Sequence, residues 1–498
     1  MKNVQKPARL IAAVLLTASF ATACSHGGEP LRSALPSGNY DASGGNRHVR
    51  GDSTFDLYGG GATFSFVAYT GNVQPVGSGT DKTQSTPASS SLFYTVLTDH
   101  WAYYCATGSG YGKGVFIGSN AASGDCAALG GSATGFGSRD TTADFAGSDA
   151  ALKTTEYSTY VTNEKTNHAE PFEFPAIGGS ITFAYVSGDM NGVGGVLKLS
   201  KTSYCKIAAG TITNWNDSQI QSDNGGTYPV DTTKPPADGT SFTAGAAGQS
   251  VAIKNFYYRS DSSGMSLLFQ NHLKTVCGSD WTYGAGTTWA GPTTSEYVGK
   301  NGDPGIAAAI QGAHYSTGYL AAGYLSYGSP SLAGATLQNS SGNYESPTNA
   351  TALASGLATI TLANTVAGGS DDNAGGSTVD LGTSRKDCVF YINPSKFANP
   401  SGSGAYPIVA ISYLDFYGKG YTRAGSDHTA DIKILAKYML GGDLPDDRPS
   451  APVGYAYITD SSLKAELLAA YNGTAASSSF KDVNGMSVTR SSSCMANS

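Results

Sequence analysis

Charge is scarce in this sequence: Asp, Glu, Lys and Arg together make up 13% of its 498 residues, about half of the roughly 25% usual for a soluble domain. With 30 basic against 37 acidic side chains the formal net charge is −7, which excludes a generic basic surface and nucleic acid as its partner. No two cysteines stand as C-x-x-C, and the histidines show no H-x-x-x-H or Cys/His spacing, so the chain lacks the ligand pattern of a structural zinc site. Nucleotide and hydrolase signatures are missing too. "GYGKG" (Gly110 to Gly114) has a Lys after Gly without the Ser or Thr and full spacing of a Walker loop. Ser203 to Lys206 satisfies S-x-x-K, but no K-T-G partner follows. No G-x-S-x-G elbow accompanies a suitable Asp and His.

What the chain does have is glycine, 65 residues or about twice the average share, together with 10% aromatic residues, a combination that argues for a folded, turn-rich protein over a disordered one. Its 30 tyrosines read as packing and surface residues. The length allows roughly two to four domains, each able to bury a core.

Lys2, Lys6 and Arg9 precede an apolar, uncharged run from Leu10 to Ala23, the layout of a secretory signal peptide and too short for a good membrane span. Ala21-Thr22-Ala23 before Cys24 fits an A-x-A cleavage site and also resembles a bacterial lipoprotein signal, in which Cys24 is acylated. Ordinary cleavage, leaving Cys24 as a spare thiol, is the alternative. Residues 24–50 read as a flexible linker rich in Ser, Gly, Asn and Pro. Six cysteines remain: Cys105, Cys126, Cys205, Cys277, Cys388 and Cys494. In an exported chain these are most simply three disulfides, with fifteen formal connectivities. Cys126 lies close to Cys105 within a Gly/Ser-rich stretch, so this pair is a candidate staple for an insertion.

Short β-rich runs alternate with helical ones, which favours an α/β architecture. "ITFAYV" (Ile181 to Val186) is a strand, followed by a helix capped by Ser200 and stopped near Gly210. A second helix begins near Ser263, where Met265, Leu268, Phe269, His272, Leu273 and Val276 recur at helical spacing. A third opens with Asp303 and Pro304 and runs to Ile310. Asp431 to Leu440 and Ser461 to Tyr471 are helical as well. Gly77 to Ser91, Gly118 to Arg139, Asp217 to Gly248 and Asn339 to Asp380 read as loops or insertions.

Three small-residue clusters carry the chemistry: "GGGATF" (Gly59 to Phe64), "ATGSGYG" (Ala106 to Gly112) and "RSDSSGMS" (Arg259 to Ser266). Gly-rich turns opening into helices present several backbone N–H groups to one point, where the helix dipole adds positive potential. In the third cluster Arg259 adds a guanidinium fork, with Ser263 and Gly264 at the first helical turn. A fourth element is "DFAGSDAAL" (Asp144 to Leu152), where Asp149 reads either as the N-cap of a helix containing Glu156 and Tyr157 or as a ligand group. Hydrogen phosphate can donate a proton to a carboxylate and fully ionised sulfate cannot, so one Asp makes a general oxyanion pocket phosphate-selective.

"DLYGGGAT" (Asp56 to Thr63) resembles the opening that gives the DING proteins their name, and "GSG", "AGSD" and "RxxxSG" follow in the order found in that family and in the wider class of phosphate-binding proteins of ABC importers. "YCKIAAGTITNWND" (Tyr204 to Asp217), "GSITFAYV" (Gly179 to Val186), "STGYL" (Ser316 to Leu320) and "YPI" (Tyr406 to Ile408) have counterparts as well. The resemblance covers roughly Asp56 to Cys494. It implies a two-lobed type II periplasmic binding protein fold of the α/β class with crossing interlobe strands, lobe I being residues 51–176 and 329–498, with an insertion at about 339–380, and lobe II residues 177–328.

Carried over by position, the resemblance implies that Thr63 and Phe64 contact phosphate through backbone N–H, with the Thr63 hydroxyl added. Ser109 contributes its hydroxyl and amide, Asp149 accepts the ligand proton, Arg259 clamps, and Ser263, Gly264 and Met265 close the ring. Met265 stands where the family usually has Thr, which removes a hydroxyl unless Ser266 replaces it. Cys205 and Cys277 match a disulfide position of the group, and Cys494 matches its C-terminal cysteine, leaving Cys388 as partner.

The expected function is capture of inorganic phosphate outside the cytoplasm by a monomer, either periplasmic or lipid-anchored, for an ABC permease in the inner membrane, with no cofactor and no catalysis. Two rivals stand beside it. One is a secreted phosphatase using Asp149 or Ser263 as nucleophile; the other is an interaction protein that keeps the scaffold with weakened ligand binding.

Overall fold

The computed structural model describes residues 56–73, 87–94, 96–97, 100–119, 143–239, 241–371, 377–379, 386–423, 426–442 and 448–495, all within the unit Asn46–Ser498. The expected signal peptide, Cys24, the expected linker and Cys126 lie outside these residues.

Two parallel α/β halves share one ten-stranded sheet. In the first, β1 (Leu57–Gly61) lies between β2 (Ala102–Cys105) and β3 (Phe145–Ser148), parallel to both. In the second half, β6 (Phe256–Arg259) lies between β7 (Tyr297–Lys300) and β8 (Thr317–Ala321), again parallel. They are joined by β4 (Phe172–Val186), whose fifteen residues are all buried and which at about 3.3 Å per residue is long enough to cross from one half to the other. Its first part pairs antiparallel with β16 (Val409–Phe416), and its second with β8 and β9 (Leu332–Gly334). This is the two-lobed type II architecture.

The pairing also shows where the chain stays in the second half. β9 sits on the far end of β4, and β10 (Thr336–Gln338) pairs with β5 (Lys198–Leu199). Residues 332–338 therefore pair with strands of the second half. The stretch Asn339 to Asp380, read above as a loop or insertion, holds β11 (Tyr344–Glu345), helix Ala350–Gly356, β12 (Thr365–Ala367) and a hairpin of β13 (Gly369–Asp371) and β14 (Ser377–Val379). β12 is tied to the chain beyond by antiparallel pairing with β15 (Phe390–Ile392), and Leu353, Ile360 and Leu362 anchor the stretch in the core. Asp217 to Gly248 contains one short helix, Ser218–Asp223, capped by Asp217.

Helices follow strands in both halves, so their N-termini gather at the carboxyl ends of the parallel strands, the place where open α/β sheets bind ligands. In the first half these are α1 (Phe66–Thr70), α2 (Ser109–Phe116) and α3 (Thr154–Asn163). In the second, helix Gly264–Val276 follows β6 and helix Gly302–Gln311 follows β7. The expected caps act as read: Ser200 accepts from Ser203 N–H at the start of helix Lys201–Ala208, and Ser263 accepts from Ser266 N–H at 3.3 Å. A hydroxyl acceptor there satisfies an orphan first-turn amide. Asp149 caps no helix. Lys153 precedes α3, its N–H bonded to Glu156, because residues 149–152 are pinned elsewhere, as described below.

Tight packing explains the glycines of the first cluster. Gly61 has φ +135°, and a Cβ there would lie 2.0 Å from the Gly147 carbonyl; one at Gly112 would lie 2.5 Å from Gly61 Cα. Strands β1 and β3 and helix α2 thus approach closely enough to exclude any side chain. Disulfides Cys205–Cys277 and Cys388–Cys494 are formed, each with Cα atoms 5.5 Å apart, and Cys105 is disulfide-bonded as well. Among the described residues no helix is long and apolar enough to cross a membrane.

Candidate ligand cleft

Three consecutive carbonyls after β1 are turned away from the cleft by tyrosines. Tyr104 Oη donates to Ala62 O at 3.0 Å, Tyr324 Oη to Thr63 O at 2.6 Å, and Tyr455 Oη to Phe64 O at 2.5 Å. With the carbonyls fixed behind, the amides of Thr63 and Phe64, both buried, have no hydrogen-bond partner among the described residues. The same holds for the amides of Ser109 at the start of α2 and of Gly264 and Met265 at the start of helix Gly264–Val276. Five buried, unpartnered N–H groups are unusual, because each costs about as much as a lost hydrogen bond.

The two halves bring these amides together. A Cβ on Gly264 would lie 2.4 Å from the Ala150 nitrogen, and one on Gly108 would lie 2.6 Å from Asp261 Oδ2. Gly110 N–H donates to Ser262 O at 3.2 Å. The second and third sequence clusters thus meet across the cleft, with Asp149 between them.

Arg259, at the end of β6, is fully buried. Its Nε donates to Asp261 Oδ1 at 2.7 Å, Nη2 to Asp261 Oδ2 at 2.5 Å and Nη1 to Asp303 Oδ2 at 2.6 Å. Three of its five N–H groups are thereby held and two remain for a ligand. Burial alone would make the guanidinium easier to deprotonate; the facing Asp261 and Asp303 outweigh that and hold it firmly charged. Asp261 is itself kept below the usual carboxylate range by Arg259 despite its burial.

Asp149 follows β3. Its Oδ1 is buried without a hydrogen-bond partner, while Ser109 Oγ lies 3.4 Å from Oδ2 and accepts from the Asp149 N–H at 3.2 Å. Burial pushes this carboxyl up to about 7, aided by the nearby Asp303 and opposed by Ser412, Arg259 and Ser109. The turn that carries it is held from behind: Lys113 Nζ donates to Ala151 O at 3.2 Å and pairs with Glu156 at 2.8 Å, and Leu152 N–H donates to Glu173 Oε2 at 2.8 Å. Lys113 stands on α2 one turn beyond Ser109, so one helix supplies both a cleft residue and the support for another.

The structure therefore brings together all eight residues named from sequence: Thr63, Phe64, Ser109, Asp149, Arg259, Ser263, Gly264 and Met265. Two details differ from expectation. The Thr63 hydroxyl is engaged with Asp303, donating to Oδ2 at 2.5 Å and accepting from the Asp303 N–H at 3.1 Å. Ser266 does not replace the hydroxyl missing at Met265, since its Oγ is bonded to Tyr319 Oη at 2.6 Å and its N–H to Ser263; the Met265 side chain itself is in the core.

A family model described as a PBP superfamily domain matches residues 80–381, more than half of the chain. This chain belongs to the PBP superfamily. Its relatives include phosphate-binding proteins. Phosphate-binding protein PstS 2 of Mycobacterium tuberculosis is 28% identical over 275 residues, covering 54% of this chain and 59% of that protein. Phosphate-binding protein PstS 3 of Mycobacterium leprae is 25% identical over 335 residues, covering 67% and 74%. The matched part is thus less than two thirds of the first of these curated relatives. The crystal structure of a DING protein superposes with a TM-score of 0.55 at 19% identity, covering 85% of this chain and 96% of that one, which shows the shared fold.

Two acids of this PBP cleft escaped the sequence reading. Asp261 lies inside a cluster already singled out, two residues beyond Arg259, and that spacing was its available signal. Asp303 reads locally as an acid in a first helical turn, and its partner Thr63 is 240 residues away, so nothing near it in sequence points to the cleft.

Proposed function

We propose that this chain is an extracytoplasmic solute-binding protein that captures inorganic phosphate between its lobes for ABC-type import. One observation carries the reading: among the described residues, five unpartnered buried amides, an arginine with two N–H groups to spare and an unpartnered carboxyl oxygen share one cleft. Donors in that number suit a tetrahedral oxyanion. The lone acceptor, Asp149, suits an oxyanion that carries a hydrogen.

In this reading Thr63, Phe64, Ser109 and Asp149 come from lobe I, and Arg259, Ser263, Gly264 and Met265 from lobe II. Phosphate bridges the lobes and stabilises the closed form by its preference for it. The Thr63 hydroxyl, expected to touch the ligand, serves Asp303 instead, and Met265 contributes its amide alone. Export by the leader at residues 1–23, anchoring through Cys24 and delivery to a membrane permease belong to the same proposal.

The test is titration calorimetry on the mature chain freed of bound phosphate, with phosphate and then sulfate at pH 8. Micromolar or tighter phosphate binding with sulfate silent is expected. A folded protein that gives no heat with either anion would end the proposal.

A further inference from the structure

Asp303 is engaged through both carboxylate oxygens and its own amide, and anion capture as read above gives it no part beyond holding Arg259 charged. It is wholly buried. Its Oδ2 accepts from Thr63 Oγ1 and from Arg259 Nη1, its Oδ1 accepts from Ala321 N–H at 3.1 Å, and its own N–H donates to Thr63 Oγ1. Thr63 follows β1 of the first half, whereas Arg259, Ala321 and Asp303 belong to β6, β8 and the helix after β7 in the second. Two of these bonds therefore cross the cleft and two anchor Asp303 to its own lobe.

The chemistry fits a joint that engages on closure. In an open cleft Asp303 keeps Arg259 and Ala321 as partners while water takes the place of Thr63. When the lobes meet, one hydroxyl both donates to the carboxylate and accepts from the helix amide. Both bonds are shielded from water, and the one that the Thr63 hydroxyl donates to the carboxylate is stronger than a neutral hydrogen bond. Asp261 contributes to the alignment by accepting the Gly302 N–H at 3.0 Å, which fixes the start of the same helix against the Arg259 loop.

We infer that Asp303 is a closure latch: its carboxylate and amide seize the Thr63 hydroxyl as the lobes come together, so that the cleft closes without a ligand and Arg259 is set in its bound position beforehand. The inference rests on the anion-capture reading for its effect on affinity, but the latch itself exists whether or not the ligand is phosphate. Thr63 is then a positioning residue through its hydroxyl and a ligand residue only through its amide.

The test has two arms, both on the mature chain. In the first, hydrogen exchange is followed by mass spectrometry at the Asp303 amide in phosphate-free protein. Protection in the unaltered chain, falling at least about tenfold in Thr63→Val, is expected. Free exchange in the unaltered chain would show that the empty cleft stands open and would overturn the latch. In the second arm phosphate affinity is measured for Thr63→Val, Asp303→Asn and the double variant. Thr63→Val alone should weaken binding about ten- to hundredfold, yet change it less than about twofold in the Asp303→Asn background, because partners in one interaction are non-additive. An equal loss in both backgrounds would mean that the hydroxyl acts on the ligand directly, and the inference fails. If the unaltered chain binds no phosphate while its Asp303 amide is protected, the function reading falls and the latch stands.

Discussion

Replacing Asp149 by Asn removes the one carboxyl whose oxygen is buried without a partner in the cleft, and the size of the effect follows from charge. An ionised Asp149 facing a fully ionised sulfate oxygen has no hydrogen between the two. At about 4 Å and an effective dielectric of about 20, two unit charges repel by roughly 4 kcal/mol, which is about a thousandfold in affinity at roughly 1.4 kcal/mol per decade. Hydrogen phosphate avoids the penalty by donating its proton. The side-chain amide that Asp149→Asn introduces can offer a donor to either anion, so the ratio of phosphate to sulfate affinity should collapse from about a thousandfold to within about tenfold. The unaltered protein should show the same trend with pH: as the medium falls below about 7, where Asp149 takes up a proton, the carboxyl itself becomes a donor and sulfate begins to bind. Competition calorimetry with both anions at pH 8 and pH 6, on both proteins, reads the two effects together. An unchanged ratio in Asp149→Asn at pH 8, combined with a flat ratio in the unaltered protein, would refute the assignment of Asp149.

Gly264→Ala should fold normally yet bind phosphate about ten- to hundredfold more weakly, since its Cβ would meet the Asp149–Ala150 backbone at 2.4 Å and such overpacking costs about 1–3 kcal/mol; calorimetry with an unchanged unfolding midpoint checks it, and native affinity would show that the lobes close differently. Ligand-free protein should lose stability as pH rises from about 4 to about 7. Asp149, Asp415 (pushed up to about 6) and Glu173 are all raised by burial, so the folded chain holds protons that the unfolded chain has released. Urea midpoints at pH 5 and pH 8 test this, and a higher midpoint at pH 8 would contradict it. Removing the Cys388–Cys494 bridge, which spans 106 residues, by a double change to Ser should cost about 4.8 kcal/mol by loop entropy. Denaturant unfolding that shows less than about 1 kcal/mol would mean that the buried Arg490–Glu466 and Arg490–Asp387 pairs constrain the same segment unaided.

Local chemistry was legible wherever a residue acts on its near neighbours. Ser200 and Ser263 cap helices because a hydroxyl reaches an amide three residues on, and the core face of helix Gly264–Val276 follows from its spacing. Asp149 was legible as a member of a site cluster and illegible as a loop residue: Lys113 and Glu173, 36 and 24 positions away along the chain, pin the turn that a cap reading would have made helical. The short elements within Asn339 to Asp380 were hidden for a related reason. Its Ser, Thr, Gly and Asn content hides the few buried apolar residues, Leu353 and Leu362 among them, whose contacts lie outside the segment.

The α/β class and the small-residue clusters that meet at the cleft follow from the sequence alone, because small residues, caps and a lone arginine act through short-range geometry. Only the tertiary structure decided what holds those residues in place. Arg259 shares its guanidinium between Asp261 and Asp303, and Thr63 gives its hydroxyl to Asp303 across the cleft. Such pairings join elements far apart along the chain, and their strength comes from burial, which a chain acquires only when its two halves close on one another.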